Sequence, residues 1–293
     1  MLRRGPGPRY NGAARWPITY RRMDDVPTLL FSTAPFFRNQ VKEGLRRVAD
    51  AGYRKVEVMV NQDPLTQEAH LLRPMVEKLG LSVEVVHAPF LLLTRRVFGT
   101  DPMGKIYRSV QLAEQLGASL VVIHPPYRWQ VRFRRWVEES LAEFSAVTGV
   151  AVAVENMFPV KLPGRGVTFH AGQELEDLDQ YPYLVLDTSH AAVAGLDILG
   201  LYERYRDKLL HIHLSNNAGR GWDSHLPVYQ EGVLPLGQFL GVLAGDGFAG
   251  TISLELDLRP YAEDERALHE VLVRNREFCE AHLDLTQAGE ARG

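Results

Sequence analysis

The chain has 293 residues, 45% hydrophobic and 24% charged, with a formal net charge of −3. Such a chain can bury a large core, and its length suits one large barrel or two ordinary domains. The small net charge gives no overall attraction to nucleic acid or anionic membranes. A single cysteine, Cys279, excludes an intrachain disulfide framework and a thiolate metal cluster. No apolar run approaches the ~20 residues of a membrane span, so we expect a cytoplasmic protein without membrane partners.

Residues 1–22 differ from the rest of the chain. They contain six arginines and no acidic residue, and they lack the apolar segment of a secretory signal. We predict that residues 1–27 are a disordered tail or reflect a start codon placed too early, with Met23 as the natural first residue. A nucleic-acid-binding arm or a transit peptide is the alternative. The folded domain is expected at 28–282, followed by a flexible C-terminal tail at 283–293.

From residue 28 onward, short β-branched runs alternate with longer amphipathic stretches. The predicted strands are 28–32, 55–60, 81–87, 119–124, 150–156, 183–187, 209–214 and 251–256. The predicted helices include 39–51, 66–79, 102–116, 133–147, 236–244 and 263–281. Gly52, Gly80 and Gly117 follow helices where a left-handed C-cap is expected. The main competitor, a doubly wound open sheet, would show a glycine-rich loop after its first strand, and this chain has Ser32 to Pro35 there. The pattern therefore favours an α/β protein built as a single (β/α)₈ TIM barrel.

Six consecutive predicted strands end in a histidine, glutamate or aspartate. These residues are His87, His124, Glu155, Asp187, His213 and Glu255. One such residue is usually a helix cap or a satisfied core group. In a parallel barrel, however, all six strand ends open on one face, and packed carboxylates would repel each other. A divalent cation removes that penalty, so the pattern predicts a metal site.

Three more polar residues follow these strands in the chain. His190 lies three positions after Asp187, and Asp223 and His225 lie in the loop after the seventh strand. The nine candidate ligands are more than one four- to six-coordinate ion can use, so the set has capacity for two or three ions. We expect one to three ions to be bound. Nitrogen and oxygen donors without thiolates favour Mn²⁺, Zn²⁺ or Fe²⁺ over Ca²⁺.

Other ionisable residues receive weaker predictions. We expect His211 to face away from His213 as a packing or supporting residue. Glu57 is expected inside the barrel or in a salt bridge, and outside the metal shell. Three further histidines, His70, His170 and His269, are predicted to lie on the surface. Several basic side chains are predicted near the barrel mouth, and we expect most of them to be solvated. The alternative is that they bind a phosphate-bearing substrate. They are Arg95, Arg96, Arg128, Arg132, Lys161, Arg165 and Arg220.

The motifs follow the order of a known superfamily. They are His87-Ala-Pro-Phe, His124-Pro-Pro, Glu155-Asn156, Asp187-Thr-Ser-His190, His213-Leu-Ser-Asn, Asp223-x-His225 and Glu255. Over about residues 28–279 the chain resembles the xylose isomerase-like TIM barrel superfamily. That group contains sugar and sugar-phosphate isomerases and epimerases, as well as the endonuclease IV relatives (AP endonuclease family 2).

The isomerase branch implies one Mn²⁺-like ion held by Glu155, Asp187, His213 and Glu255. Glu155 and Glu255 would exchange the proton through an enediolate, and the substrate would be a small sugar, sugar phosphate or keto-polyol. His190 and Arg220 would bind sugar oxygens, and Phe90 would form a pocket wall.

The endonuclease branch implies three zinc ions, bound by all nine candidate ligands, and an abasic DNA substrate. The loop formed by residues 60–64, after the second strand, is short and lacks the basic and aromatic character of a DNA-penetrating loop. This loop favours the isomerase and leaves nucleic acid as a partner only under the alternative. A lyase, a dehydratase, a non-catalytic metal-binding module and a homo-oligomer also remain open.

Overall fold

Eight parallel strands close into a barrel in a computed structural model that describes residues 27–36, 40–89, 97–162, 165–167, 169–170 and 175–283. The strands are β1 (Thr28–Ser32), β2 (Lys55–Met59), β3 (Ser82–His87), β4 (Leu120–Ile123), β5 (Ala151–Glu155), β8 (Leu184–Asp187), β9 (Leu209–Leu214) and β10 (Thr251–Leu254). The antiparallel pair β6 (Val160–Leu162) and β7 (Arg165–Val167) lies outside the barrel sheet. The predicted TIM-barrel fold is confirmed.

Helices follow most of the barrel strands. They are α1 (Val41–Asp50), α2 (Ala69–Lys78), α3 (Pro102–Leu116), α4 (Val131–Thr148), α5 (Leu175–Leu178), α6 (Thr188–Ala194), α7 (Ile198–Tyr205), α8 (Leu236–Gly245) and α9 (Glu265–His282). The bounds of α3 agree with the prediction because both ends carry strong local signals. Asp101 caps the first turn by accepting from the Gly104 N–H at 2.8 Å, and Gly117 ends the helix at φ 80°.

Two residues that the prediction assigned to the terminal tails, Pro27 and Leu283, are buried. The rest of the predicted tails, residues 1–26 and 284–293, lies outside the described residues. None of the helices in the described part of the chain has the length and apolar character that crossing a bilayer requires.

The core has two layers separated by the strands. One large cluster of buried side chains lies between strands and helices. A smaller cluster fills the barrel interior, and its members are Leu30, Val85, Leu120, Val122, Ala151, Ala153, Val185 and Leu210. Side chains two positions apart share a face of a strand. Where the alternation is regular, the residue two positions after an interior residue therefore lies in the next layer, toward the C-terminal end of the barrel. That next layer is the candidate site.

Candidate metal centre

The predicted strand-end ligands form one layer directly above the apolar barrel interior. Four of them follow an interior residue by two positions: His87 follows Val85, His124 follows Val122, Glu155 follows Ala153, and Asp187 follows Val185. Alternation along each strand therefore turns all four toward the axis at the C-terminal mouth. All four are less than a tenth exposed.

His213 faces three carboxylates through one ring nitrogen. Its Nδ1 atom lies 3.0 Å from Glu155 Oε1, 3.4 Å from Glu255 Oε2 and 3.8 Å from Asp187 Oδ2. Ligands bound to one cation at about 2.1 Å lie about 3 to 4 Å from each other. These four residues therefore have the spacing of a single mixed nitrogen and oxygen site.

Glu155 also contacts a second pair of imidazoles. Its Oε2 atom lies 3.1 Å from His124 Nε2 and 3.4 Å from His87 Nε2. Since Oε1 faces His213, the two carboxylate oxygens point at different groups of nitrogen donors. A carboxylate in this position can bridge two cations.

A third group surrounds Asp223. Asp223 Oδ2 lies 2.7 Å from His225 Nε2 and 3.3 Å from His190 Nε2. Asp187 Oδ2 is 3.8 Å from the same His190 nitrogen. His225 has a left-handed φ of 38°, which costs a non-glycine residue about 1 kcal/mol. This strained backbone turns the imidazole toward Asp223.

Backbone carbonyls set the orientation of three rings. His87 Nδ1 lies 3.0 Å from Ala88 O, His190 Nδ1 lies 2.9 Å from Asn156 O, and His225 Nδ1 lies 3.0 Å from Glu255 O. A carbonyl only accepts, so each Nδ1 donates a proton and each neutral ring keeps its Nε2 lone pair for a cation. Metal-bound histidines usually donate their second N–H in this way.

Charges within the site perturb its protonation. Burial alone would lower the pKa of His213, but Glu57, Glu155 and Glu255 raise it well above its ordinary value. Burial would raise the pKa of Glu155, but His213, His124 and His87 hold it well below the usual range. Without a cation, imidazolium groups therefore carry the compensating positive charge, and a bound cation would displace their protons.

The Asp223 group behaves similarly. Burial raises the pKa of Asp187 to about 6. Burial opposes protonation of His225, but the hydrogen bond to Asp223 and the charge of Asp187 raise the pKa of His225 to about 9. Asp223 itself has a pKa well below its usual value because His190 and His225 offset the effect of burial.

The residues fit a divalent cation. Three buried carboxylate oxygens have no hydrogen-bond partner: Glu155 Oε2, Asp187 Oδ2 and Glu255 Oε2. Carboxylate oxygen and imidazole nitrogen are donors that Mn²⁺ and Zn²⁺ accept. Ligand atoms lie within 4.8 Å of one another in overlapping groups, which include His87–His124–Glu155, Glu155–Asp187–His213 and Asp187–His190–His225. The described residues can thus hold one or several ions.

The prediction that His211 faces away from His213 is wrong. The two residues lie two positions apart in β9, so they share one face of the strand. The pairing of β9 with β8 skips Leu210, so the alternation restarts there and both histidines point into the barrel. His211 Nε2 is 3.3 Å from Glu57 Oε2, and His213 Nε2 is 3.0 Å from Glu57 Oε1. Glu57 is fully buried, so both predicted alternatives hold: it lies inside the barrel and pairs with histidines.

The prediction of a surface position for His170 is also wrong. Its ring stacks on Tyr127 with centroids 4.2 Å apart, and its Nδ1 atom lies 2.7 Å from Pro125 O. Burial lowers the pKa of His170 to about 4. No sequence signal indicated this, because the burial depends on an isolated bridge between His170 and Tyr127. His70 and His269 are exposed, as predicted.

A cavity of about 350 Å³ opens above the ligand layer. Its walls include Met59, His87, His124, Glu155, Met157, Phe158, His190, Asp223, His225, Glu255 and Arg259. Sequence reasoning missed Phe158, which lies in a loop, and Arg259, which begins the single helical turn Arg259–Tyr261, because neither is part of a motif. Of the three predicted substrate-binding residues, His190 lines the cavity. Arg220 is exposed beside Trp222 and outside the cavity lining, and Phe90 lies outside the described residues.

Sequence comparison finds relatives over most of the chain. An uncharacterized protein of Mycobacterium bovis is 34% identical over 272 residues, which cover 86% of this chain and 96% of that protein. An uncharacterized protein of Mycobacterium leprae is 34% identical over 269 residues, with coverages of 84% and 96%.

Solved structures share the fold. A D-tagatose 3-epimerase-like protein matches with a TM-score of 0.64 and 19% identity, covering 89% of this chain and 99% of that one. An AP endonuclease family 2 protein from Brucella melitensis matches with a TM-score of 0.59 and 18% identity, covering 81% and 99%. The family model described as xylose isomerase-like TIM barrel matches residues 45–275. The chain therefore belongs to the xylose isomerase-like TIM barrel family, as its motifs predicted.

Proposed function

We propose that the protein is a metal-dependent isomerase or epimerase of a small sugar, sugar phosphate or related keto-polyol. The observation that carries this proposal is the pair Glu155 and Glu255, whose carboxylates lie 3.0 and 3.4 Å from His213 Nδ1 and each keep a buried Oε2 atom without a hydrogen-bond partner. The structural likeness to a D-tagatose 3-epimerase-like protein supports the same class of reaction.

The two glutamates are suited to a two-carboxylate proton transfer. A divalent cation held by Glu155, Asp187, His213 and Glu255 would supply Lewis acidity toward a substrate carbonyl. Glu155 ends β5 and Glu255 follows β10, three places apart around the barrel, so they approach a substrate from different sides. One carboxylate removes a proton from the carbon beside the carbonyl, and the other delivers a proton to the opposite face or to the neighbouring carbon.

The cavity supports a small substrate. Its volume of about 350 Å³ lies at the lower end for small-molecule sites. His190 lines it with Phe158, whose ring centroid is 4.8 Å away, and together they offer a polar and an apolar contact for a polyol. Arg220 as a further sugar ligand, and Phe90 as a wall, remain predictions.

The loop after β2 gives little support for DNA binding. Asp63 accepts from the Leu65 N–H at 3.0 Å and caps the single turn Pro64–Thr66. Residues 61–66 contain this one acidic residue and no basic one, whereas a DNA-binding loop needs cations. Because phosphate neutralisation supplies most of a protein's affinity for DNA, this loop favours the sugar substrate.

Solvent-deuterium exchange tests the proposal. Chelator-stripped protein is reloaded with Mn²⁺ or Zn²⁺ and incubated in D₂O with ketopentoses, ketohexoses and their phosphates. We expect deuterium at one carbon with the wild type, none with Glu155→Gln or Glu255→Gln, and normal exchange with the exposed control Glu263→Gln. If metal-loaded wild type exchanges no proton across this panel, the proposal is rejected.

A metal-dependent phosphodiesterase is the second candidate. The observation that favours it is the convergence of the candidate ligands in overlapping groups that continue through Asp223 and His225. The likeness to an AP endonuclease family 2 protein points in the same direction. Under this alternative, nucleic acid would be the substrate and three zinc ions the cofactor.

The double variant Asp223→Ala with His225→Ala separates the candidates. An isomerase needs only the group around His213, so exchange should stay measurable. A trinuclear phosphodiesterase would lose a cation that stabilises the leaving oxygen, which costs several kcal/mol of transition-state stabilisation. Cleavage of an abasic-site duplex by the wild type, abolished in the double variant, would establish the second candidate.

A further inference from the structure

Glu57 is an ionisable side chain in a barrel interior filled mainly by aliphatic residues. It lies beside Val85 in the sheet register and is fully buried. TIM barrels usually fill such layers with valine, isoleucine and leucine. A buried carboxylate is costly unless it is paired. Glu57 therefore needs a role that an aliphatic side chain cannot perform.

Both oxygens of Glu57 contact histidines of β9. Oε1 lies 3.0 Å from His213 Nε2, and Oε2 lies 3.3 Å from His211 Nε2. The other ring nitrogen of His211 lies 2.6 Å from Thr251 Oγ1. Together these four side chains form one hydrogen-bonded line, defined here as the Glu57 line, which runs from β10 through His211 and Glu57 to His213.

We propose that Glu57 is a positioning residue for the metal centre. Glu57 accepts a hydrogen bond from the Nε2–H of His213. This bond keeps the His213 Nδ1 lone pair aimed at the group formed by Glu155, Asp187 and Glu255. This inference rests on the metal centre of the proposed function. Nδ1 is the ring nitrogen that faces those carboxylates, with Glu155 Oε1 at 3.0 Å. A carboxylate on the opposite nitrogen fixes the tautomer and the ring orientation, and it makes the ligating nitrogen more basic.

The remaining members of the Glu57 line hold the carboxylate itself. His211 and Thr251 restrain Oε2, so Oε1 stays aligned with His213 and does not rotate away. Glu57 could instead serve as a ligand, because its oxygens lie within 4.8 Å of ligand atoms of His87 and His213. The hydrogen bonds to both histidines favour positioning, since they engage both oxygens.

Glu57→Gln is the informative variant. Its carbonyl can still accept from His213, and its amide can donate to His211, so the buried groups stay satisfied and the barrel should fold. We expect the dissociation constant for Mn²⁺ or Zn²⁺, measured by titration calorimetry of chelator-stripped protein, to rise about 10- to 100-fold. The number of ions bound should not change.

Val85→Ala is the matched control, because it opens a cavity in the same interior layer. It should lower the melting temperature and leave metal affinity unchanged. If Glu57→Gln lowers the melting temperature but binds metal like the wild type, Glu57 is only structural and the inference fails. The loss of one whole ion would make Glu57 a ligand and would equally overturn it. A wild type that binds no metal would reject the metal centre of the proposed function together with this inference.

A measurement on the wild type tests the inference even if the variant does not fold. In the Zn²⁺-loaded protein, long-range ¹⁵N–¹H correlation spectra should show His213 protonated at Nε2, with a downfield proton that exchanges slowly because Glu57 accepts it. A proton at His213 Nδ1, or a rapidly exchanging Nε2–H, would contradict the inference.

Discussion

His225 should make the metal-free protein less stable as the pH rises. Its Nε2 atom lies 2.7 Å from Asp223 Oδ2. Burial opposes its charge, but Asp223 and Asp187 raise its pKa from 6.5 to about 9. A group whose pKa is higher in the folded protein contributes stability that is fully present below the unfolded pKa. That stability is lost as the pH rises through the folded pKa.

The magnitude follows from these two pKa values. With about 9 in the folded protein and 6.5 in the unfolded chain, proton linkage gives about 2 kcal/mol of stability lost between pH 7 and pH 9. His190 and His213 also have raised pKa values and add losses of the same sign. A difference between the wild type and a His225 variant subtracts the part of their contribution that does not depend on His225.

Urea unfolding of chelator-stripped protein at pH 7 and pH 9 measures this difference. The free energy of unfolding should fall between the two pH values by about 2 kcal/mol more in the wild type than in His225→Asn. His269→Asn, which removes an exposed histidine of α9, should behave like the wild type. Equal pH dependence in wild type and His225→Asn would show that the Asp223–His225 pair does not hold the proton, and the reasoning would be refuted.

Three further predictions concern the same layer. Asn156→Ala should lower the free energy of unfolding, measured with urea, by about 2 kcal/mol, because it removes two buried hydrogen bonds. These bonds join Asn156 to the N–H and C=O of Asp187 at 2.7 and 3.0 Å. A loss near zero would mean that water replaces them. Metal binding at pH 7 should release about one proton if an ion binds only at the His213 group, and about three protons if ions also bind at the group of His190 and His225. Calorimetry in buffers of different ionisation enthalpy counts the released protons. No release would contradict imidazolium in the metal-free site. Asp187→Asn should abolish activity with an unchanged far-UV circular dichroism spectrum, since stability lies in other layers; full activity would remove Asp187 from the ligand set.

Local sequence signals predicted the parts of the fold that depend on near neighbours. The bounds of β1 and β9 were reproduced because their β-branched or apolar runs end in clear polar or turn residues. The ligand layer was predictable for a related reason. Strand alternation and the parallel direction of the barrel send Glu155, Asp187 and their counterparts to one mouth without any knowledge of long-range contacts.

Contacts between distant segments could not be predicted in this way. Glu57 and His213 lie 156 positions apart in the chain, and nothing around Glu57 indicates which histidine it meets. His170 contacts Tyr127 and the Pro125 carbonyl, which lie more than 40 positions earlier in the chain. No bounds were predicted for the helices α6 and α7, because each is too short, at 7 and 8 residues, to show a clear amphipathic period.

Asp187 links the number of ions to the function. Its Oδ1 atom accepts from the His190 N–H at 2.7 Å, where Asp187 caps α6, while Oδ2 is buried without a hydrogen-bond partner. That oxygen is 3.8 Å from His213 Nδ1 and 3.8 Å from His190 Nε2. With one ion in the His213 group, Asp187 serves that ion, while Asp223 stays paired with His190 and His225 beside the cavity. If further ions bind, the Asp223 group would hold them, and His190 would then be a ligand that can no longer bind a sugar oxygen. The protonation of His190 in the metal-loaded enzyme should therefore separate the isomerase from the phosphodiesterase.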